Sequence, residues 1–188
     1  MTKTGTLLAA LLLVVAGACF FAYPAIRPYT DEATLAGAEA FASSAWLLSH
    51  TFAMVGFILL VLGLLGLYGI LRETKAEPRA VAALVLTWVG VGLILPYYGA
   101  ETFALAAVGR EAIEQNSVEL LITLTDAIRF GEGVWLFGAG LLALAAGSIL
   151  FEAAIWRSGV LARWSGIPLA LGFALFLPQF FTPPPARI

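Results

Sequence analysis

Five ionisable residues lie within apolar stretches of this chain: His50, Glu101, Asp126, Arg129 and Glu132. Each costs roughly 2.5–3.5 kcal/mol or more at the centre of a bilayer, so such groups are kept for pairing or for function. Asp126, Arg129 and Glu132 are spaced i, i+3 and i+6, which lets the arginine pair with either carboxylate along one helix. Gly131 and Gly133 flank Glu132 and leave room beside it for another helix or a ligand. Tyr97 and Glu101 are i and i+4 and share a helical face, just past Pro96, which removes a backbone donor and is expected to kink its helix.

Charge counting sharpens what these groups can do. Three acids, Glu101, Asp126 and Glu132, against Arg129 leave an excess of two negative charges, or one if His50 is protonated. An unpaired buried carboxylate is costly enough that Glu101 or Glu132 is expected to take up a proton, unless a cation or water fills the site. A carboxyl that changes protonation state suits proton-coupled transport, general acid catalysis, or the joining of helices. Glu101, Glu132 and His50 are the candidates for proton chemistry. Arg129 and Asp126 are candidates for holding a charged ligand, with Tyr97, Tyr98, Phe103 and Trp135 as an aromatic wall able to stabilise a cation. Each has a plainer reading: Asp126–Arg129 as a structural ion pair near the interface, His50 as a residue wetted by headgroups. Metal binding by His50 and the acids is weakly supported, because no spaced ligand motif is present and Arg129 competes for the carboxylates.

The elements that must position these residues follow from composition. Of 188 residues, 61% are hydrophobic and 12% charged, against roughly 45–50% and 25% in soluble domains. A water-soluble globule is excluded. The formal net charge of −2 offers no basic surface for nucleic acid. One cysteine, Cys19, and one histidine, His50, rule out an intramolecular disulfide, a multi-histidine zinc site and bis-histidine haem. No phosphate-binding glycine loop, Ser-His-Asp set or Asp-rich metal motif is present, and no cofactor is expected.

A membrane-crossing helix needs roughly 20 mainly apolar residues. Five stretches qualify, near 6–26, 46–71, 80–108, 120–155 and 165–181, which predicts an all-α polytopic membrane bundle forming one domain over 1–188. The chain's abrupt end at Pro183-Pro184-Pro185 leaves open a sixth helix beyond the C-terminus. With the N-terminus in the cytoplasm, Lys3, Arg72, Lys75, Arg79, Arg157 and Arg163 lie inside, and Arg27, Arg110 and Arg187 outside. Six against three favours that orientation, in a plasma (inner) membrane. All five ionisable groups then fall in the outer half, with Asp126, Arg129 and Glu132 roughly 9, 14 and 18 Å down their span.

Smaller signals complete the reading. Val15-Ala16-Gly17-Ala18-Cys19 has the small residues of a lipoprotein cleavage site, but Phe20-Phe21-Ala22-Tyr23 continues the apolar run, as a plain first helix does. Ile70-Leu71-Arg72-Glu73 resembles Ile149-Leu150-Phe151-Glu152, and Gly90 with Pro96 matches Gly172 with Pro178 in spacing. Two parallel helical hairpins, or coincidence among similar helices, account equally for these matches. Gly63, Gly66, Gly69, Gly138 and Gly140 read as helix-packing positions. Trp46, Tyr97 and Tyr98, and at the other end Trp156 and Trp164, read as interfacial anchors. The readings that remain are a transporter of a proton, ion or small solute, an acid–base enzyme acting on a lipid or isoprenoid, and a non-catalytic membrane subunit. Membrane lipids, a small-molecule or lipid ligand and a second copy of the chain are the partners left open.

Overall fold

The computed structural model describes residues 2–176 and 178. Its described residues form eight α-helices and no strand: α1 (Lys3–Ile26), α2 (Leu35–Ala42), α3 (Ser44–Leu71), α4 (Glu77–Gly99), α5 (Leu105–Glu114), α6 (Val118–Arg129), α7 (Gly133–Ser158) and α8 (Ile167–Phe176). A π-helical turn, Ala100–Ala104, joins α4 to α5. Among the described residues, four segments are long and apolar enough to cross a membrane: Lys3–Ile26, Ser44–Leu71, Glu77–Glu114 and Gly133–Ser158.

Local chemistry sets the helix ends. The hydroxyls of Thr2, Thr34, Ser43 and Ser117 accept the backbone N–H of Gly5, Gly37, Trp46 and Leu120, satisfying donors that the first turn leaves unpaired. Pro78 occupies the first turn of α4, where its missing N–H costs nothing. Gly159, at φ 71°, closes α7 in a left-handed conformation suited to glycine.

Two helix pairs build the body, α1 against α3 and α4 against α7. Close backbone approach makes both. A Cβ on Gly90 would lie 2.7 Å from the Leu144 amide nitrogen and 2.8 Å from the Gly140 carbonyl oxygen, and one on Gly140 would lie 2.8 Å from the Gly90 carbonyl. Gly63 meets Leu13 and Gly66 meets Ala9 across the α1–α3 seam. Gly138, by contrast, has open space around it. Phe57, Leu60, Leu64, Ile94, Tyr98, Leu144 and Phe151 fill the core between the pairs. A second cluster, including Phe41, Trp46, Leu105, Ala112 and Leu121, forms where α2, α5 and α6 cover one end of the bundle.

Two expectations change. The stretch 120–155 is not one helix: it breaks at 130–132 into α6 and α7. Gly131 and Gly133 weaken the helix there, and Arg129, the last residue of α6, is drawn into contacts with other segments. The third span is longer than 80–108, and Pro96 is absorbed within α4, with the irregularity appearing four residues later as the π-turn. Of the stretch 165–181, Ile167–Phe176 form α8, and 177 and 179–181 lie outside the described residues. Leu177, Gln179 and Phe180 of the second hairpin motif lie there too. The first loop also contains a helix, α2, that hydrophobic pattern alone did not predict.

Candidate functional site

The functional candidates meet beneath the cap formed by α2, α5 and α6. Arg129 ends α6, and its guanidinium makes a bidentate pair with Glu101, Nε to Oε1 at 2.7 Å and Nη2 to Oε2 at 3.1 Å. Its Nη1 donates to Glu32 Oε2 at 2.5 Å. Glu32 in turn accepts from Arg27 Nη2 through Oε1 at 2.8 Å. The four charges alternate, Arg27–Glu32–Arg129–Glu101, and sum to zero. They come from the C-cap of α1, the connection before α2, the π-turn and the last residue of α6.

The π-turn gives Glu101 its setting. The wider turn carries a Leu105 N–H to Ala100 carbonyl bond, and the indole N–H of Trp46 donates to the Glu101 carbonyl at 2.8 Å. Such turns perturb a helix locally without ending it, and they recur at functional positions. Aromatic faces line the cations: Arg27 lies 5.0 Å from the Trp46 ring and 5.5 Å from Tyr29, and Arg129 lies 5.4 Å from Phe41. Burial works against the charge of Arg129, but Glu101 and then Glu32 outweigh it and hold the guanidinium above its ordinary range. The arginine stays charged throughout the physiological range.

Below the network, His50 is buried, with 1% of its surface exposed. Trp46 stacks on its ring at 4.2 Å, and Tyr23 meets it edge-on at 5.2 Å. Nδ1 lies 2.9 Å from the Trp46 carbonyl. A carbonyl only accepts, so Nδ1 carries a proton. Tyr98 is buried beside Tyr23 and Phe57. Tyr97 stacks on Phe137 at 4.2 Å and donates its hydroxyl to the Arg129 carbonyl at 3.2 Å, tying α4 to the end of α6.

The structure therefore brings Glu101 and Arg129 together, sets Tyr97 and His50 nearby, and leaves other candidates outside. Asp126 and Glu132 are exposed, and neither pairs with Arg129. Residue spacing allowed both pairings, but the guanidinium reaches away from its own helix to Glu101 and Glu32. The excess negative charge counted among Glu101, Asp126 and Glu132 does not assemble here, because Asp126 and Glu132 stay outside the network and Arg27 offsets Glu32. Trp135 is 81% exposed and Phe103 also faces outward, so neither closes an aromatic wall with Tyr98. Trp46 is fully buried and is a core residue, not an interfacial anchor.

Arg27, Glu32, Trp46 and Tyr23 are the site residues that spacing alone missed. One signal was present: Arg27 and Glu32 stand at the C-terminal end of the first span, the same side as the polar cluster. One polar atom of the network stays unsatisfied, the buried Nε of Arg27. Among the described residues, no three His, Cys, Asp or Glu side chains gather closely enough to hold a metal ion. Comparison with protein-family models, with curated proteins and with solved structures finds no match.

Proposed function

We propose that this chain is an integral membrane protein that binds and moves a proton, ion or small polar solute through its outer half, with the Arg27–Glu32–Arg129–Glu101 network as its closed gate. One observation carries the reading: the π-turn between α4 and α5 and the break between α6 and α7 at residues 130–132 meet at the Arg129–Glu101 pair. Irregular turns of this kind recur at functional positions of helices. Opening requires Arg129 to leave Glu101 or Glu32, and a proton or a bound cation on either carboxylate weakens that hold. The arrangement of Lys and Arg favours an N-terminus in the cytoplasm and a network toward the outside.

The reading is tested in proteoliposomes that carry a pH gradient. Glu101→Gln is expected to abolish gradient-driven flux, whereas Glu132→Gln, at an exposed position, leaves it unchanged. A folded Glu101→Gln protein with full flux overturns the gate.

A second reading, a non-catalytic subunit, is favoured by the complete pairing of the four carboxylate and guanidinium charges. In that case Arg129→Leu lowers stability and changes no flux. The enzyme reading draws less support, because His50 is enclosed by Trp46 and Tyr23 and its Nδ1 is committed to a backbone carbonyl.

A further inference from the structure

The exposed tryptophans stand at separate levels of the bundle. Trp135, in the first turn of α7, is 81% exposed, and Trp156, in the last turn, is 39% exposed. The two positions are about 32 Å apart along the helix. That separation matches roughly 30 Å of hydrocarbon, and tryptophan favours the two edges of that layer. Trp164, also exposed, meets Trp156 edge-on at 4.5 Å and reinforces the second edge. On α4, Thr87 packs at Gly147 and Gly90 at Leu144, so the exposed Trp88 lies midway between the edges.

The surface changes character at the same level. Between Trp135 and Trp156 the large exposed side chains of α7 are Leu136, Leu142 and Ile149. On the other side of Trp135, Glu132, Asp126, Glu119, Glu114, Glu111 and Arg110 are exposed. Among the described residues neither Asp126 nor Glu132 has an ion-pair partner. An unpaired charge is costly against lipid tails and costs nothing in water. Helix length agrees with this division. With 23 residues, α4 is already about 34 Å long, so the π-turn reaches the edge and α5 continues past it. A Cβ on Gly109 of α5 would lie 2.5 Å from the Ala38 carbonyl oxygen, so α2 is seated against the projecting segment.

We propose that the bilayer meets this protein along a band bounded by Trp135 at one edge and by Trp156 and Trp164 at the other, and that α2, α5 and α6 stand outside the hydrocarbon as a water-exposed cap. Arg129 and Glu101 then lie at the boundary plane rather than down a continuous span. The ion network is reached from water by displacing the cap, without crossing hydrocarbon. Ile122 and Leu124, exposed on α6, are isolated apolar residues on a wet surface, which is ordinary. The placement rests on the reading of the chain as an integral membrane protein and is independent of what it moves.

Thiol labelling of the full chain in phospholipid nanodiscs, with Cys19→Ala as the background and a charged, membrane-impermeant maleimide as the probe, tests the placement. A thiol reacts as its thiolate, which forms in water and not among lipid tails, so Leu124→Cys is expected to label at least about tenfold faster than Leu142→Cys. Both side chains are exposed on the protein, so the lipid is what separates them. If Leu124→Cys does not fold, Glu132→Cys takes its place and is expected to label at the same fast rate. Labelling as slow as that of Leu142→Cys overturns the wet cap while leaving the chain in the bilayer, whereas fast labelling of Leu142→Cys overturns the membrane reading itself. Fluorescence quenching by lipids brominated near the acyl-chain ends checks the edge. Trp88→Phe is expected to remove most of the quenching and Trp135→Phe little of it; equal losses overturn the boundary at Trp135.

Discussion

Along the α4–α7 seam, Gly90 and Gly140 bring two helix backbones into contact, so that neither position has space for a Cβ. At the capped end, Arg129 instead joins α6 to Glu101 and Glu32 through long, hydrogen-bonded side chains. The contrast follows from the solvent around each region. Within lipid, helices gain little from burying apolar surface, and close packing of small residues supplies the attraction. The cap, of short helices with apolar and charged faces, is held by a second apolar core and by charges that only a partly dry setting makes strong. The bundle is therefore specified by shape, and the cap by electrostatics at one place.

That difference is breakable in a graded way. The largest effect is expected from Gly90→Leu, whose side chain must displace the α7 backbone; a loss of about 4 kcal/mol is expected, seen as collapse of the unfolding temperature in detergent. Arg129→Leu comes next, at about 3 kcal/mol, because Glu101 and Glu32 lose their common partner. Its damage should be local: hydrogen exchange should rise in α2 and α6 while α4 and α7 stay protected, and uniform exchange across all helices would erase the distinction between cap and bundle. Trp46→Phe keeps the ring that stacks on His50 but deletes the donor to the Glu101 carbonyl, a loss of about 1 kcal/mol by thermal unfolding. Asp126→Asn is the smallest, within about 0.5 kcal/mol, since the residue is exposed and outside the network. A larger loss there would restore the pairing along α6 that residue spacing had allowed.

The bundle was far more legible in the sequence than the cap. Hydropathy placed the first two spans close to α1 and α3, and Gly63, Gly66 and Gly140 carried their packing role in their chemistry and surroundings. The break at residues 130–132 was less visible, because Phe130 and Val134 to Leu136 keep the stretch apolar on both sides of Gly131 and Gly133. The ion network was half visible. Glu101 and Arg129 stood out as charges within apolar stretches, but Glu32 and Arg27 looked like ordinary loop and helix-end residues. Their partners lie 97 residues apart in the case of Glu32 and Arg129, a separation at which no periodicity or spacing speaks.

What this chain's sequence determined by itself is a set of long apolar helices of a kind that suits a membrane, with a few ionisable residues among them; hydrophobicity and backbone hydrogen bonding are local properties, written residue by residue. Which of those residues meet was decided only by the tertiary structure. A long arginine side chain can reach several carboxylates with similar energy, and here the π-turn, the end of α6 and the folded-back connection to α2 together bring Glu101 and Glu32, rather than Asp126 or Glu132, within its grasp.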